Sequence, residues 1–157
     1  MYVSNFNLIP TKTENSVTVL SDTGTVLSKA ANFGVTSASA INEACWTVLN
    51  SIGDKLYVAS FQTNLVSTFN VSGGALTFGS SEARADLAPK GDSKDVWLSP
   101  DNKYLYNLGS FQSFSINTFD VNGSGTKYRS QTVLSTTAAG KGIVGKYNFL
   151  GLMGFDL

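Results

Sequence analysis

Leu56-Tyr57-Val58-Ala59-Ser60-Phe61-Gln62 is answered further along the chain by Leu105-Tyr106-Asn107-Leu108-Gly109-Ser110-Phe111-Gln112, with one residue inserted. The correspondence continues downstream, where Val66-Ser67-Thr68-Phe69-Asn70-Val71 matches Ile116-Asn117-Thr118-Phe119-Asp120-Val121. A more diverged copy opens the chain at Met1-Tyr2-Val3-Ser4-Asn5-Phe6 and resumes at Ser16-Val17-Thr18-Val19-Leu20. The offset is about 50 residues, a period typical of stacked supersecondary units that cannot each bury an apolar face alone.

Within each copy, short runs rich in aromatic and β-branched residues alternate with turn chemistry. Val48-Leu49 and Trp97-Leu98 lie in one strand, and Asn50-Ser51-Ile52-Gly53-Asp54 and Ser99-Pro100-Asp101-Asn102 form the polar turn after it. Leu56-Tyr57-Val58 and Leu105-Tyr106 begin a second strand. Leu65 to Val71 and Ser115 to Val121 make a third. Gly73-Gly74 and Asn122-Gly123-Ser124-Gly125 then turn the chain into weaker fourth strands near Leu76-Thr77-Phe78 and Arg129 to Leu134. No stretch carries a helical period, although the alanines between Ala30 and Cys45 would tolerate a turn of helix. The expected fold is therefore all-β, a partial β-propeller of about three four-stranded antiparallel blades. The division expected is an incomplete blade over 1–45, blades over 46–95 and 96–142, and a closing strand or tail over 143–157.

Met1 stands where the repeat places a Leu, so the innermost strand of the first blade is expected to be missing. Open sheet faces and an unpaired strand edge invite association. A homo-oligomer, most simply a homodimer that completes the ring, follows as an expectation.

Composition narrows the function. The 157 residues are 42% hydrophobic and 14% charged, with 11 Lys+Arg against 11 Asp+Glu. That balance gives no electrostatic reason to expect nucleic acid or an anionic membrane as partner. No apolar run approaches the roughly 20 residues that span a bilayer, and the N-terminus lacks the pattern of a signal peptide. The default location is cytoplasmic, with secretion open to a longer chain. The single cysteine, Cys45, excludes an internal disulfide and any multi-cysteine zinc site. The absence of histidine removes the usual general base and imidazole metal ligands, so neither cofactor nor metal is expected. Any catalysis would rest on carboxylates, Lys, Arg, Tyr or Cys, and no catalytic residue is assignable.

Leu98-Ser99-Pro100-Asp101-Asn102-Lys103-Tyr104-Leu105-Tyr106, followed by Thr118-Phe119-Asp120-Val121, resembles a blade of the seven-bladed lactonase-type propellers. That family includes 6-phosphogluconolactonase-like and fungal carboxymuconate cyclase-like proteins. Cys45-Trp46-Thr47 resembles the start of such a blade. The resemblance covers nearly the whole chain, and its residues are chiefly structural markers. It implies the C-terminal part of a propeller, since seven such units make the family's ring and this chain holds about three. Propellers host many functions, so the resemblance identifies fold better than activity.

Several local patterns read as connections. Gly140 to Lys146 has the glycine and lysine spacing of a phosphate loop, but Tyr147 occupies the Ser/Thr position and no helix follows. Asp120 to Gly125 mimics the opening of a calcium loop, yet Gln131 replaces its bidentate Glu and both flanks are strands. Ser124-Gly125-Thr126-Lys127 matches a nucleophile motif inside a turn. Asn70-Val71-Ser72 and Asn122-Gly123-Ser124 are glycosylation sequons in residues that also simply populate turns.

The candidate site is a channel mouth. In a propeller the first strand of each blade lines the central channel. Glu43, Cys45 and Trp46 open one such strand, Lys94, Asp95 and Trp97 the next, and Lys141 holds the third equivalent place. Glu43, Lys94, Asp95 and Lys141 would suit a small anionic or sugar-acid ligand, with Lys or carboxylate available as acid or base. The competing reading makes Trp46 and Trp97 packing residues, Cys45 a small buried hydrophobe and the charges solvated positions. Two functions follow: a non-catalytic propeller segment acting as a binding or interaction module, or, as the resemblance implies, a hydrolase or cyclase of sugar or carboxylated lactones.

Overall fold

The computed structural model describes residues 2–5, 16–22, 27–34, 44–84, 91–110, 112–134, 152 and 154. These form eleven strands in three antiparallel sheets with neighbours paired in chain order. The first sheet holds β1 (Tyr2–Asn5), β2 (Ser16–Asp22) and β3 (Leu27–Gly34). The second holds β4 (Ala44–Leu49), β5 (Lys55–Ser60), β6 (Leu65–Ser72) and β7 (Ala75–Ala83). The third holds β8 (Ser93–Leu98), β9 (Tyr104–Gly109), β10 (Ser115–Asn122) and β11 (Gly125–Val133). This is the all-β propeller-type fold expected, and among the described residues the first sheet lacks a counterpart to β4 and β8. The stretch suspected of helix is strand over Ala30 to Gly34 and over Ala44 and Cys45.

Register ties the three sheets to one template. Leu49 pairs with Leu56 and Leu98 with Leu105, while Leu56 and Leu105 pair with Phe69 and Phe119. Each sheet carries a bulge at the matching point of its last two strands: Val19/Leu20, Thr68/Phe69 and Thr118/Phe119. The residue before each bulge faces a tyrosine across the sheet, namely Tyr2, Tyr57 and Tyr106. A bulge adds local twist, so its recurrence gives successive sheets one curvature and lets them stack.

Alternation then sends side chains to two interfaces. Leu56 and Val58 of β5 point toward the first sheet and join Val17, Val19, Phe69 and Leu76. Tyr57 and Ala59 point the other way and meet Val96, Leu98, Leu105 and Phe119 of the third sheet. Each fully buried Leu, Val or Phe contributes about 1.5–3 kcal/mol, so these two clusters are the adhesive between sheets.

The turns repeat in function more than in residue. Asn50 Oδ1 accepts from the amides of Gly53, Asp54 and Lys55 at 3.0–3.1 Å. In the next sheet Ser99 Oγ accepts from the Tyr104 amide at 2.9 Å and donates to Asp101 at 2.7 Å. Gly53, at φ +83°, takes a left-handed conformation that most side chains resist.

Recurrence of the aromatics suggests burial of Trp46, Tyr57, Phe69, Trp97, Tyr106 and Phe119 at equivalent places. Tyr57, Phe69 and Phe119 are buried, whereas Trp46, Trp97 and Tyr106 are half-buried. The two tryptophans are not equivalent: register sets Trp97 against Val48 of the second sheet, and Trp46 against Asp95 of the third. Trp97 and Tyr106 project from the outer face of the third sheet, with ring centroids 5.5 Å apart. No further sheet covers that face among the described residues.

Candidate functional site

The ends at which β4 and β8 begin carry the predicted site. Cys45 and Trp46 are half-buried there. A bulge between Ser93 and Val96 splays the start of β8 and sends its two charged residues to different surroundings. Lys94 reaches toward the second sheet, its Nζ 4.6 Å from the centre of the Trp46 ring and 5.9 Å from that of Phe61. Asp95 turns to the outer face, where Oδ1 accepts from the Val96 amide at 2.8 Å and Oδ2 from the Leu152 amide at 2.7 Å. The structure thus brings Lys94, Trp46 and Phe61 together and leaves Asp95 apart from them. Glu43 and Lys141 lie outside the described residues, as do the phosphate-loop-like segment 140–146 and the strand expected around Ile143-Val144-Gly145.

Beside the start of β8 sits an arrangement that pattern reading missed. Arg84, at the end of β7, forms a fully buried ion pair with Asp92 at 2.8 Å. The guanidinium also donates to Ser93 Oγ at 3.3 Å, Ser113 Oγ at 2.8 Å and Ser115 Oγ at 3.5 Å. With its carboxamide oxygen turned to Arg84, Asn117 accepts from Nε and Nη2 at 3.1 Å each. Asp92 in turn accepts from the Gln112 amide at 2.7 Å, the Ser113 amide at 3.3 Å and the Ser113 hydroxyl. Asn64, held at φ +55°, receives the Asp92 and Ser93 amides at 3.1 and 2.9 Å. The network therefore joins the last strand of one sheet to the first strand and a loop of the next.

Burial, the largest single influence, pushes the Asp92 carboxyl up. The Ser113 hydroxyl, the Gln112 amide and Arg84 together outweigh it and hold the group below its ordinary value. Burial likewise lowers Arg84, with Asp92 opposing. The pair is charged at neutral pH, since guanidinium does not deprotonate in proteins. Space for it comes from Gly109: a Cβ there would overlap Ser113 Oγ, Asp92 Oδ2 and Arg84 Nη2. The sequence does hold a signal for this cluster. Inward positions that are Ala44, Val58 and Leu65 in one copy become Ser93, Asn107 and Ser115 in the next.

At the opposite end a shallow groove of about 220 Å³ is lined by Val48, Leu49 and Ser51 of the second sheet and its turn and by Trp97, Leu98, Ser99, Pro100 and Asn102 of the third. The calcium-loop-like segment is the β10–β11 hairpin, with Asp120 bound to Arg129 at 2.7 Å and Asn122 accepting from Ser124. Among the described residues no three His, Cys, Asp or Glu gather as metal ligands, and no helix is long and apolar enough to cross a membrane.

No protein-family model matches the chain, and no curated protein does. Its shape does match solved structures. A provisionally assigned 6-phosphogluconolactonase from Bacteroides uniformis superposes with a TM-score of 0.64 at 20% identity, over 76% of this chain and 34% of that one. Another from Bacteroides fragilis gives 0.60 at 23% identity, over 85% and 36%. A functionally unknown protein from Desulfotomaculum acetoxidans gives 0.63 at 15% identity, over 78% and 36%. The three sheets thus have the fold of β-propeller blades. The likeness at these identities is one of fold, and the chain spans about a third of the length of each of these structures.

Proposed function

We propose that the chain is a propeller segment that binds, without turning over, a small anionic ligand of the sugar-acid class where β4 and β8 begin. The observation that carries this reading is the Lys94 ammonium held against Trp46 and near Phe61. An ammonium steadied by aromatic faces loses less freedom when it meets a carboxylate or phosphate. The nearest described carboxylates support binding over acid–base chemistry. Asp92 is committed to Arg84 and Ser113, and Asp95 to two backbone amides. Glu43, Cys45 and Lys141 complete the proposed lining, and a homo-oligomer that closes the ring belongs to the same proposal. Titration calorimetry with gluconate and 6-phosphogluconate tests it. Binding should weaken about tenfold in Lys94→Ala and be largely kept in Lys94→Arg; equal affinity for all three chains would remove the site.

The fold likeness to two provisionally assigned 6-phosphogluconolactonases favours a second reading, lactone hydrolysis by a complete ring. A pH-stat assay with 6-phosphogluconolactone, run beside light scattering to establish the assembled state, distinguishes the two. Turnover above the spontaneous rate that disappears in Lys94→Ala would replace binding by catalysis.

A further inference from the structure

We infer that the outer face of the third sheet is a docking surface for a main-chain N–H donor followed two residues later by Gly, and that its occupants are the chain's own Leu152 and Gly154. Register makes Asp95, Trp97 and Tyr106 the counterparts of Trp46, Val48 and Tyr57. On the second sheet those residues are packed by the third. The outer face of the third sheet is thus built as a surface for a neighbour to lie on. Two independent contacts show what lies on part of it. The Leu152 amide donates to Asp95 Oδ2 at 2.7 Å, a charge-assisted bond that needs only main chain from the docked segment. Two residues later Gly154 rests directly on the Trp97 indole, so close that a Cβ would overlap Cζ2, Cε2 and Cη2. Leu108, on the same face by alternation, is 2% exposed.

The recognition is therefore a two-point one: a carboxylate that takes a backbone N–H, and an aromatic shelf that admits a residue without a side chain. Trp97 and Tyr106, tilted 33° to each other, make that shelf flat enough for backbone to lie against. The segment covers a corner of the face that a following sheet would otherwise cover. This inference is independent of the ligand site, since Asp95 and Lys94 face different surroundings.

Trp46→Phe leaves Trp97 as the sole indole of the full chain, which holds two tryptophans. In that background, Gly154→Ala should raise acrylamide quenching of Trp97 about twofold, and Asp95→Ala should speed exchange of the Leu152 amide about tenfold. Asp95→Asn, which keeps an acceptor, should retain part of the protection. A peptide of sequence 149–157 added to the Gly154→Ala chain should restore shielding of Trp97, and the same peptide with Ala at its sixth position should not. Quenching unchanged by Gly154→Ala together with exchange unchanged by Asp95→Ala would overturn the inference. So would equal shielding by both peptides.

Discussion

The contact between the first and second sheets is mainly apolar in its described part, built on Val17, Val19, Leu56, Val58 and Phe69, with the small polar Ser60 and Ser67 buried on the same face. The contact between the second and third sheets begins the same way, with Leu105 and Phe119 in matched places, and then changes character. Toward the ends where β4 and β8 begin it becomes a buried ion pair wrapped in hydroxyls and amides. Five matched positions carry the change: Ala44 to Ser93, Val58 to Asn107, Ser60 to Gly109, Leu65 to Ser115 and Ser67 to Asn117. Four of them supply or adjust polar partners, and Gly109 supplies room. One template thus tolerates two solutions to the same problem of stacking sheets. The apolar one works through area, and the ionic one works only if nearly every donor and acceptor is met.

That dependence gives the largest expected effect. Asp92→Ala leaves the Arg84 guanidinium buried against hydroxyls and the Asn117 carboxamide with no countercharge, and should cost about 3–5 kcal/mol. Val58→Ala, in the apolar contact, removes two methyl groups and should cost about 2 kcal/mol. Urea midpoints of the two variants check the order, and a reversal would mean that the ion pair is better solvated than its geometry indicates. Acid breaks the same pair without mutation. Asp92 is held below its ordinary value, so its stabilisation is complete above about pH 4. It is lost as the pH falls further, through the folded-state value. Asp92→Asn should therefore be less stable than the native chain at pH 7, with the difference shrinking below pH 4.

A smaller effect tests the role of space. Gly109→Ser installs the residue that the second sheet uses at this place, Ser60, and should cost about 1–3 kcal/mol by forcing Ser113 and Arg84 from Asp92. The reverse exchange, Ser60→Gly, meets no ion pair and should cost no more than about 1 kcal/mol. Thermal unfolding of both chains decides whether the asymmetry between the two contacts resides in that single position.

The fold was legible because its markers are periodic. Leu56/Leu105 and Phe69/Phe119 recur in sequence and land on matching inward positions, and the Asn50 and Ser99 turns announce themselves by residue type. The site was legible only in part. Lys94 and Trp46 do meet, but a bulge separates Lys94 from Asp95, and bulges leave no mark in an alternation pattern. The tryptophans misled for the same reason: a large aromatic near each strand start suggests equivalence, while register makes Asp95 the counterpart of Trp46 and Val48 that of Trp97. Arg84 escaped because the repeat offers no precedent, the position 50 residues after it being Leu134; Asp92 does have an acidic counterpart in sequence, Glu43 standing before Ala44 as Asp92 stands before Ser93. Their signature is the polar replacement of inward apolar residues, visible once the face of each residue is known.

The smallest effect lies at the other end of the second contact, away from the ion pair. Asn102 spans the two sheets there, its Oδ1 accepting from the Ser51 amide at 3.1 Å and its Nδ2 donating to Ser51 Oγ at 2.5 Å. Both bonds are exposed, so water replaces them when they are lost, and their net worth is about 0.5–1 kcal/mol. Asn102 also sits at φ +57°, a conformation that costs alanine about 1 kcal/mol more. Asn102→Gly relieves the backbone and removes only the tie; Asn102→Ala does both. Glycine should therefore lower stability by about 0.5–1 kcal/mol and alanine by about twice that. If Asn102→Gly proves as damaging as Asp92→Ala, the contact is held at its turn end, and the buried pair is a consequence of sheet stacking instead of a cause.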